Sequence, residues 1–367
     1  MIVGVFSPAI NLCGGAELVA LNIIAALREH GHEVILLSDS PIDQKKFKHV
    51  FNRRVTVDRQ LIFPFRLFAL SNDRNVYTNA VQTLILKSKC NVLIDTYSNA
   101  LLPGVDVAYV HYPLLTGIRR GMSHWRNKVY FLPYKSFLSS RKNSIARKLI
   151  FVNSSFTAQA AKAEFGTDPC VLYPPVSNDL TKHTEQDFER LRGSNVVTIA
   201  RLASEKNLEI IPHIAKLSNR EISFTIAGLL SSERVLGLLS SLIQELNVSD
   251  RVKIMTNLTM EQSRAILTNS RVFLHPMEKE HFGIAIVEAM SLGCIPVVHN
   301  SGGPREFVSP EFRFESIEEA AAKVEKAIDY WSPKQARIIS KSAERFDEDN
   351  FSKKFIEVFE SRFQGDD

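Results

Sequence analysis

Two glutamates separated by seven residues flank a glycine in the segment Glu280-His-Phe-Gly-Ile-Ala-Ile-Val-Glu288. The segment follows a buried apolar run and leads into a helical pattern, so Glu280 is expected in a loop and Glu288 inside the helix. Gly283 lies near the helix start, where unpaired backbone N–H groups and the helix dipole favour phosphate. The two carboxylates could bind hydroxyls on either side of a diphosphate; an ordinary solvated pair of acids is the alternative.

Two cations follow another apolar run in the same half of the chain. The residues Asn195–Ala200 are predicted to form a strand, and Arg201-Leu-Ala-Ser-Glu-Lys206 comes directly after it. In open parallel sheets, ligands bind beyond the carboxyl ends of the strands. Arg offers a planar fork for phosphate oxygens, and Lys adds a point charge. Surface charge for solubility is the alternative, but the strand-end position and a nearby helix N-terminus favour a diphosphate site.

Short apolar runs alternate with helical patterns along nearly the whole chain, which predicts βαβ units and parallel sheets. The predicted strands are Ile2–Phe6, Glu33–Ser38, Asn91–Asp95, Asp106–Val110, Leu149–Asn153, Asn195–Ala200, Ser223–Gly228, Arg251–Met255, Arg271–His275 and Ile295–His299. The predicted helices are Gly15–His30, Ser155–Phe165, Asn207–Leu217, Ser232–Leu246, Thr259–Thr268, Gly283–Leu292 and Ile317–Tyr330. Ser154 and Thr259 are N-cap candidates, and Thr259-Met-Glu-Gln also fits a capping box.

This pattern is interrupted near residues 172–193, where Pro174 and Pro175 fix an extended backbone. A new series of strands and helices starts at Asn195. We therefore predict an α/β fold of two doubly wound Rossmann-like domains, residues 1–175 and 176–349, facing one another across a cleft. The last helix carries an aromatic stripe typical of core packing, and residues 350–367 are expected to pack back toward the N-terminal domain.

Composition excludes several classes of protein. A chain of 367 residues with 45% hydrophobic and 23% charged residues is neither globally disordered nor of low complexity. It has no apolar run of about 18 residues, and its N-terminus lacks the pattern of a signal peptide. The four cysteines are widely spaced without a C-x-x-C motif, which favours free thiols in a reducing compartment. We therefore expect a cytoplasmic protein.

The net charge of +5 is concentrated in one segment, because residues 118–148 contain nine Lys and Arg and no Asp or Glu. Aromatic residues lie between these cations, a composition suited to an anionic membrane surface on the cytosolic side. A solvated helical face, or one paired with acids elsewhere, is the alternative. The apolar stretch 61–70 either extends this surface or forms a buried loop. Single-stranded nucleic acid also suits such a composition, but nothing else in the chain supports it, so no nucleic-acid partner is predicted.

In their order along the chain, several motifs together resemble those of the retaining glycosyltransferase family 4, which has the GT-B fold. They are Gly14-Gly15-Ala-Glu17, Tyr109-Val-His-Tyr-Pro113, Val152-Asn-Ser-Ser-Phe-Thr157, Arg201 with Lys206, Glu280-x7-Glu288 and Asn300-Ser-Gly-Gly-Pro-Arg-Glu306. The resemblance covers nearly the entire chain. Within the family, Glu280-His-Phe-Gly-Ile284 and Tyr173-Pro-Pro175 are most similar to the α1,2-mannosyltransferases of the dolichol-linked oligosaccharide pathway.

This resemblance implies retaining transfer of a hexose from a nucleotide-diphosphate sugar to a glycan or polyprenyl-linked glycan. GDP-mannose is the first donor expected, with UDP-sugars still open; a non-catalytic nucleotide-sugar-binding subunit is a further alternative. Arg201 and Lys206 match the positions that neutralise the diphosphate. Glu280 matches the glutamate that contacts the donor sugar, and Glu288 the one that holds the ribose. No side-chain nucleophile is assigned, and Glu280 is taken as a positioning group.

The resemblance also assigns residues around these. The backbone N–H groups of Phe282, Gly283 and Ile284 would meet the phosphate and the sugar. His111 matches a histidine beside the reacting sugar; its position at a strand end alone leaves structural and functional roles equally open. Gly15 matches a flexible loop near the diphosphate and the acceptor. Because Lys and Arg can supply the positive charge that a metal supplies elsewhere, no metal and no cofactor are predicted.

Overall fold

The computed structural model describes residues 1–63, 75–119, 129–178, 186–189 and 192–363 of the chain. The chain divides into two compact units: Met1–Pro175 together with Asp349–Asp367, here the N-unit, and Val176–Glu348, here the C-unit. The division at Pro175 lies at the pair of prolines that interrupts the strand and helix pattern. Within the described ranges, no helix is both long and apolar enough to span a bilayer.

The N-unit contains a seven-stranded parallel sheet. Its strands are β1 (Ile2–Phe6), β2 (Glu33–Ser38), β3 (Arg59–Ile62), β4 (Val92–Asp95), β5 (Val107–Val110), β6 (Leu149–Val152) and β7 (Cys170–Val171). They lie in the order β3-β2-β1-β4-β5-β6-β7. The central strand β1 is almost wholly buried, as expected for a β-branched run covered on both faces.

Helices cover both faces of this sheet. They are α1 (Gly15–Glu29), α2 (Gln44–Phe51), α3 (Val76–Lys87), α4 (Leu114–Arg119), α5 (Leu132–Ser140), α6 (Lys142–Ile145) and α7 (Ser155–Phe165). Successive side chains of a strand point to opposite faces. Accordingly, Val3 and Val5 pack into one apolar core and Phe6 into a second core on the other face. The N-unit is therefore a doubly wound α/β unit.

The C-unit repeats this architecture with six strands. They are β8 (Asn195–Ile199), β9 (Ser223–Gly228), β10 (Val252–Thr256), β11 (Val272–His275), β12 (Ile295–His299) and β13 (Arg313–Phe314). Its helices are α8 (Gln186–Glu189), α9 (Ile210–Leu217), α10 (Glu233–Glu245), α11 (Met260–Thr268), α12 (Ile284–Ser291), α13 (Ile317–Tyr330) and α14 (Pro333–Ala343). The order β10-β9-β8-β11-β12-β13 is the Rossmann order, with its topological switch between β8 and β11.

The last helix, α15 (Glu348–Phe363), supplies an aromatic stripe to the N-unit. Phe351, Phe355 and Phe359 are at most 3% exposed and belong to the same core as Val3 and Val5. The spacing of four residues places these rings on one face of the helix, where consecutive rings stack. Helix α15 thus contributes to the N-unit core.

Most predicted elements are confirmed to within about three residues, because apolar runs and N-caps locate them well. Ser154 accepts a hydrogen bond from the backbone N–H of Thr157, and Thr259 forms the capping box with Gln262. Three strands were not predicted: β3, β7 and β13. All three lie at sheet edges. Strands β7 and β13 have two residues each, too few for an alternating pattern, whereas β3 has four residues but is not buried and so lacks a purely apolar run.

Candidate functional site

The predicted donor-site residues of the C-unit follow adjacent strands. Arg201 and Lys206 come after β8, and Glu280 comes after β11. These two strands pair in parallel, with Val272 opposite Val196. Because parallel strands end at the same edge, the two segments meet there although they are far apart in sequence. This edge is the topological switch point, where open α/β sheets bind ligands.

Glu280 and Lys206 form a largely buried ion pair at this edge. Lys206 Nζ lies 2.9 Å from Glu280 Oε2, with side-chain exposures of 17% and 12%. His275 Nε2, at the end of β11, donates to the same oxygen at 3.0 Å. The backbone N–H of His281 donates to the other oxygen, Oε1, at 2.9 Å. Lys206 Nζ also lies 3.1 Å from Met277 Sδ.

These donors determine the ionisation of Glu280. Burial by itself would raise the pKa of this carboxyl, since it disfavours the charged form. The hydrogen bond and charge of His275, together with the charge of Lys206, outweigh burial and hold the pKa of Glu280 well below its usual range. Glu280 is therefore an anion at neutral pH, suited to accept hydrogen bonds from hydroxyl groups and unsuited to donate a proton.

The loop after β12 fixes the backbone of Glu280. The N–H of Gly303 donates to the carbonyl oxygen of Glu280 at 2.8 Å, and the N–H of Lys279 donates to Ser301 Oγ at 2.7 Å. Gly302 has a φ of +78°, and a Cβ placed there would lie 2.1 Å from the Glu280 carbonyl oxygen. Only glycine fits this close approach. The Asn300-Ser-Gly-Gly segment thus holds the backbone of Glu280 in place.

Gly283 is the N-cap of helix α12, with a φ of +91°. A Cβ at this position would lie 2.5 Å from Ile286 Cδ1, so glycine is required by both conformation and space. In the described chain, no side chain caps the helix at this residue. Phe282 is buried against Phe307 and Phe346, so only its backbone can face a ligand. The half-buried helix start offers backbone N–H groups and the positive end of the dipole.

Glu288 lies in the second turn of α12 and is half-buried. Among the described residues, no hydrogen bond or ion pair engages its carboxylate. Burial raises the pKa of Glu288 to about 7. An acid kept half-buried without a partner is costly to fold, which is typical of a group that awaits a ligand.

Arg201 is oriented differently from Lys206. Its guanidinium is exposed and pairs with Glu205 at 3.1 Å, with side-chain exposures of 59% and 49%. The next residue, Leu202, is fully buried and forms a bridge to Leu230. The structure therefore joins Lys206 to Glu280, whereas Arg201 extends toward solvent from the same turn.

His111 and Gly15 lie in the N-unit. The His111 ring donates from Nε2 to the carbonyl oxygen of Thr96 at 3.2 Å, because a carbonyl can only accept. Asn99 Oδ1 accepts from the backbone N–H of His111 at 2.7 Å. Gly15 is the first residue of α1, whose entry is fixed by the hydrogen bond from Gly14 N–H to Glu17 Oε2 at 2.8 Å.

The basic segment is partly outside the described residues, which exclude Arg120, Arg126 and Lys128. In its described part, Val129 and Leu132 are 60% and 62% exposed. Arg141, Lys142 and Arg147 are also exposed. Lys148 differs: its Nζ donates to the carbonyl oxygen of Val105, and burial lowers its pKa. Of the apolar stretch 61–70, residues 64–70 lie outside the described ranges too.

Sequence reasoning did not single out His275, Asn99, Glu17 or Gly302. His275 ends an apolar strand and has the pattern of a core residue; only its position five residues before Glu280 could have drawn attention to it. Glu17 and Gly302 stand within quoted motifs, whereas Asn99 precedes the nearest one by ten residues; the contacts of all three depend on loop conformation. In the part of the chain that the structure describes, no group of three or more His, Cys, Asp or Glu side chains is arranged to hold a metal ion.

The chain is similar to known glycosyltransferases along most of its length. The model of Glycosyltransferase Family 4 matches residues 13–180, and that of Glycosyl transferases group 1 matches residues 182–346. A GDP-Man:Man(3)GlcNAc(2)-PP-Dol alpha-1,2-mannosyltransferase of Dictyostelium discoideum is 29% identical over 70% of this chain, which spans 59% of that relative's length. The Homo sapiens protein of the same name is 25% identical, over 99% of this chain and 87% of its own length.

Solved structures show the same architecture. A glycosyltransferase from Rickettsia africae superposes with a TM-score of 0.72 at 14% identity, covering 98% of both chains. The likeness supports the fold that the motifs implied: two Rossmann-like units in the GT-B arrangement of elements. Together the two family models cover nearly all of the chain. The chain belongs to the glycosyltransferase family that these models describe, with the GT-B fold.

Proposed function

We propose that this chain is a retaining mannosyltransferase that uses GDP-mannose and acts on a glycan or polyprenyl-linked glycan. The observation that carries the proposal is the buried Lys206–Glu280 pair beside the open N-terminus of α12. One part of this site suits a diphosphate and the other suits sugar hydroxyls. The names of the Dictyostelium and human relatives support mannose and GDP as the sugar and nucleotide.

The diphosphate is received by positive charge from three sources. Lys206 has three N–H donors, of which one is directed to Glu280 and one to Met277 Sδ. The third can bind a phosphate oxygen. Arg201, exposed on the same turn, is free to leave Glu205, since a surface ion pair of this kind contributes under about 1 kcal/mol. The backbone N–H groups from Phe282 to Ile284 complete the site.

The sugar and the ribose are held by the two glutamates. Glu280, kept ionised by His275 and Lys206, accepts hydrogen bonds from donor-sugar hydroxyls. Glu288, otherwise unpartnered among the described residues, accepts them from the ribose. As the bond from the sugar to phosphate breaks, negative charge grows on the diphosphate, and Lys206 and Arg201 stabilise it. The departing phosphate takes the proton of the acceptor hydroxyl, so no side-chain nucleophile is required. The family resemblance assigns His111 to the reacting sugar and Gly15 to a loop near the diphosphate and the acceptor.

These cations also make metal-independent transfer the expected chemistry. Activity should survive an excess of EDTA and should rise by less than about twofold on adding Mg²⁺. An EDTA-sensitive rate restored by Mg²⁺ would contradict this part of the proposal.

A cytosolic membrane surface is the proposed location of the acceptor. Val129 and Leu132 present exposed apolar side chains near the start of α5, and Arg141 and Lys142 present exposed cations after its end, a combination that suits anionic lipid headgroups. Sedimentation with phosphatidylglycerol vesicles at low salt should pellet the protein. Binding should fall in 0.5 M salt, by about tenfold or more, and in the variant Leu132→Ser/Arg141→Gln/Lys142→Gln. No binding to phosphatidylglycerol vesicles at low salt would favour a soluble acceptor, and equal binding to phosphatidylcholine vesicles would exclude an electrostatic contribution.

A donor screen tests the function itself. The protein is incubated with GDP-mannose, UDP-glucose and UDP-N-acetylglucosamine, each with a crude extract of polyprenyl-linked glycans, and products are identified by mass spectrometry. Transfer from GDP-mannose alone is expected. Transfer only from a UDP-sugar would replace the donor assignment. Donor binding by calorimetry without transfer or hydrolysis would indicate a non-catalytic nucleotide-sugar-binding subunit.

A further inference from the structure

Glu280 is bound by donors from three separate positions of the C-unit. Lys206 comes from the turn after β8, His275 ends β11, and the N–H of His281 belongs to the loop that follows. Lys206 and His275 both bind Oε2, at 2.9 Å and 3.0 Å. An ionised carboxylate offers about four lone-pair sites, two on each oxygen. Oε2 is therefore fully occupied among the described residues, and Oε1 keeps one site after the bond from His281.

The burial of His275 indicates that this bond is the reason for the histidine. The side chain is 4% exposed and completes an otherwise apolar strand, Val272-Phe-Leu-His275. Its Nδ1 is buried without a hydrogen-bond partner among the described residues. Burying an unsatisfied ring nitrogen is unfavourable, and a leucine at this position would avoid it. The hydrogen bond from Nε2 to Glu280 offsets this cost.

We infer that His275 is a positioning residue for Glu280: with Lys206 it fixes Oε2 and so presents the remaining site of Oε1 to a hydroxyl of the donor sugar. The inference rests on the proposed function for the identity of the ligand. The Nε2–H donates whether or not the ring is protonated, so the carboxylate keeps its orientation across the neutral pH range. Among the described residues, the titratable side chains that bind Glu280 are Lys206 and His275; His281 contributes its backbone N–H.

Matched variants separate this role from simple packing. His275→Leu keeps an apolar side chain of similar size and removes the donor, whereas His275→Gln places an amide N–H near the position of Nε2. His32→Leu is the control, because His32 is also buried and its Nε2 lies 3.8 Å from the Glu360 carboxylate, but it belongs to the N-unit. Thermal unfolding of each variant accounts for stability.

In steady-state transfer assays, His275→Leu should lower kcat by about 30-fold or more while KM for the donor changes by less than about threefold. His275→Gln should recover most of kcat, and His32→Leu should leave it near that of the wild type. In a Glu280→Ala background, His275→Leu should lower the residual rate no further, because its effect acts through Glu280. Equal loss in both backgrounds would overturn the inference.

A readout without activity separates this inference from the proposed function. ¹³C NMR of carboxyl-labelled protein, with the Glu280 signal assigned from its loss in Glu280→Gln, follows the titration of that carboxyl directly. Its midpoint should move to higher pH by about one unit or more in His275→Leu, by less in His275→Gln and not at all in His32→Leu. An unmoved midpoint in His275→Leu would overturn the positioning role. A wild type that transfers no sugar would overturn only the function.

Discussion

Gly302→Ala is the sharpest test of the idea that the loop after β12 holds Glu280 in place. Gly302 has a φ of +78°, and a Cβ there would lie 2.1 Å from the Glu280 carbonyl oxygen and 2.8 Å from its backbone nitrogen. Ordinary contacts begin near 3.4 Å, so relief requires a movement of about 1 Å or more. Because both clashing atoms are backbone, no side-chain rotation can provide it.

The expected cost has two parts. The left-handed conformation costs alanine about 1–2 kcal/mol relative to glycine. Displacing the loop also weakens the hydrogen bond from Gly303 N–H to Glu280, now 2.8 Å long, worth about 1 kcal/mol. Stability should therefore fall by about 2–3 kcal/mol. A displacement of 1 Å at a catalytic group costs on the order of 100-fold in rate, so kcat/KM should fall by about that factor.

Two glycine variants serve as controls. Gly166→Ala carries the same kind of conformational penalty, with a φ of +73° but nothing within 4 Å of the new Cβ. Gly293→Ala lies in the C-unit, has a φ of +77° and clashes with Ala336 and Phe188 rather than with Glu280. Steady-state transfer is measured well below the unfolding midpoint of each variant. Both controls should keep kcat/KM within about threefold of the wild type, although Gly293→Ala should lose comparable stability.

A Gly302→Ala variant with wild-type kcat/KM would contradict this prediction, because Glu280 would then tolerate displacement or the loop would not control its position. Equal losses of kcat/KM in Gly302→Ala and Gly293→Ala would also refute it, since they would trace the effect to general destabilisation of the C-unit.

Three other predictions follow from single side chains. Lys206→Met should lower the unfolding free energy by up to about 3 kcal/mol, because it leaves buried Glu280 without its cation. Arg201→Met should change the unfolding free energy by less than about 0.5 kcal/mol, because its ion pair is exposed. Thermal unfolding measures both variants, and equal effects would contradict the structure. Burial raises the pKa of Glu288 to about 7, so the folded state binds the proton more tightly than the unfolded state and stability falls as pH rises from 4.5 toward 7. Glu288→Gln should therefore be more stable than the wild type at pH 8, by up to about 3 kcal/mol, and similar in stability at pH 4.5. Its KM for the donor should rise. Unfolding scans at both pH values check the sign of the stability difference. Asn99→Gly keeps the left-handed conformation but loses the oxygen that accepts from the backbone N–H of His111, so its kcat should fall about tenfold. Asn99→Asp keeps that oxygen, and its kcat should stay within about threefold of the wild type. Identical rates for the two variants would exclude a role for this contact.

The sequence predicted the central strands and their helices well because burial on both faces produces apolar runs that are easily recognised. Strand β1 and helix α7 have the bounds that the pattern indicated. The edge strands β7 and β13 have two residues each and pair only on one side or at one end, so no periodicity could reveal them. Helix α14 begins with Ser332 as N-cap and a proline in its first turn, signals that were present but outside the predicted helices.

The site was predictable at the level of segments but not of side-chain contacts. Strand-end cations and the glycine before α12 identify where a diphosphate would bind, because topology places all parallel strand ends at one edge. Spacing alone did not show that Arg201 is exposed and pairs with Glu205 while Lys206 is largely buried and pairs with Glu280. His275 remained hidden because a histidine at the end of an apolar strand has the same pattern as a core residue.

Charge balance explains why the two ends of this site depend on each other. Lys206 is already neutralised by Glu280 before any ligand arrives, so attraction for a diphosphate must come from the third N–H of Lys206, from Arg201 and from the start of α12. If Glu280 were protonated, Lys206 would bind the diphosphate more strongly, but no anionic acceptor would remain for the sugar. Under the proposed function, keeping Glu280 ionised by means of His275 would therefore limit how tightly the diphosphate is held and would preserve the group that orients the sugar. Both effects favour a site that distinguishes the intact donor from the nucleotide product.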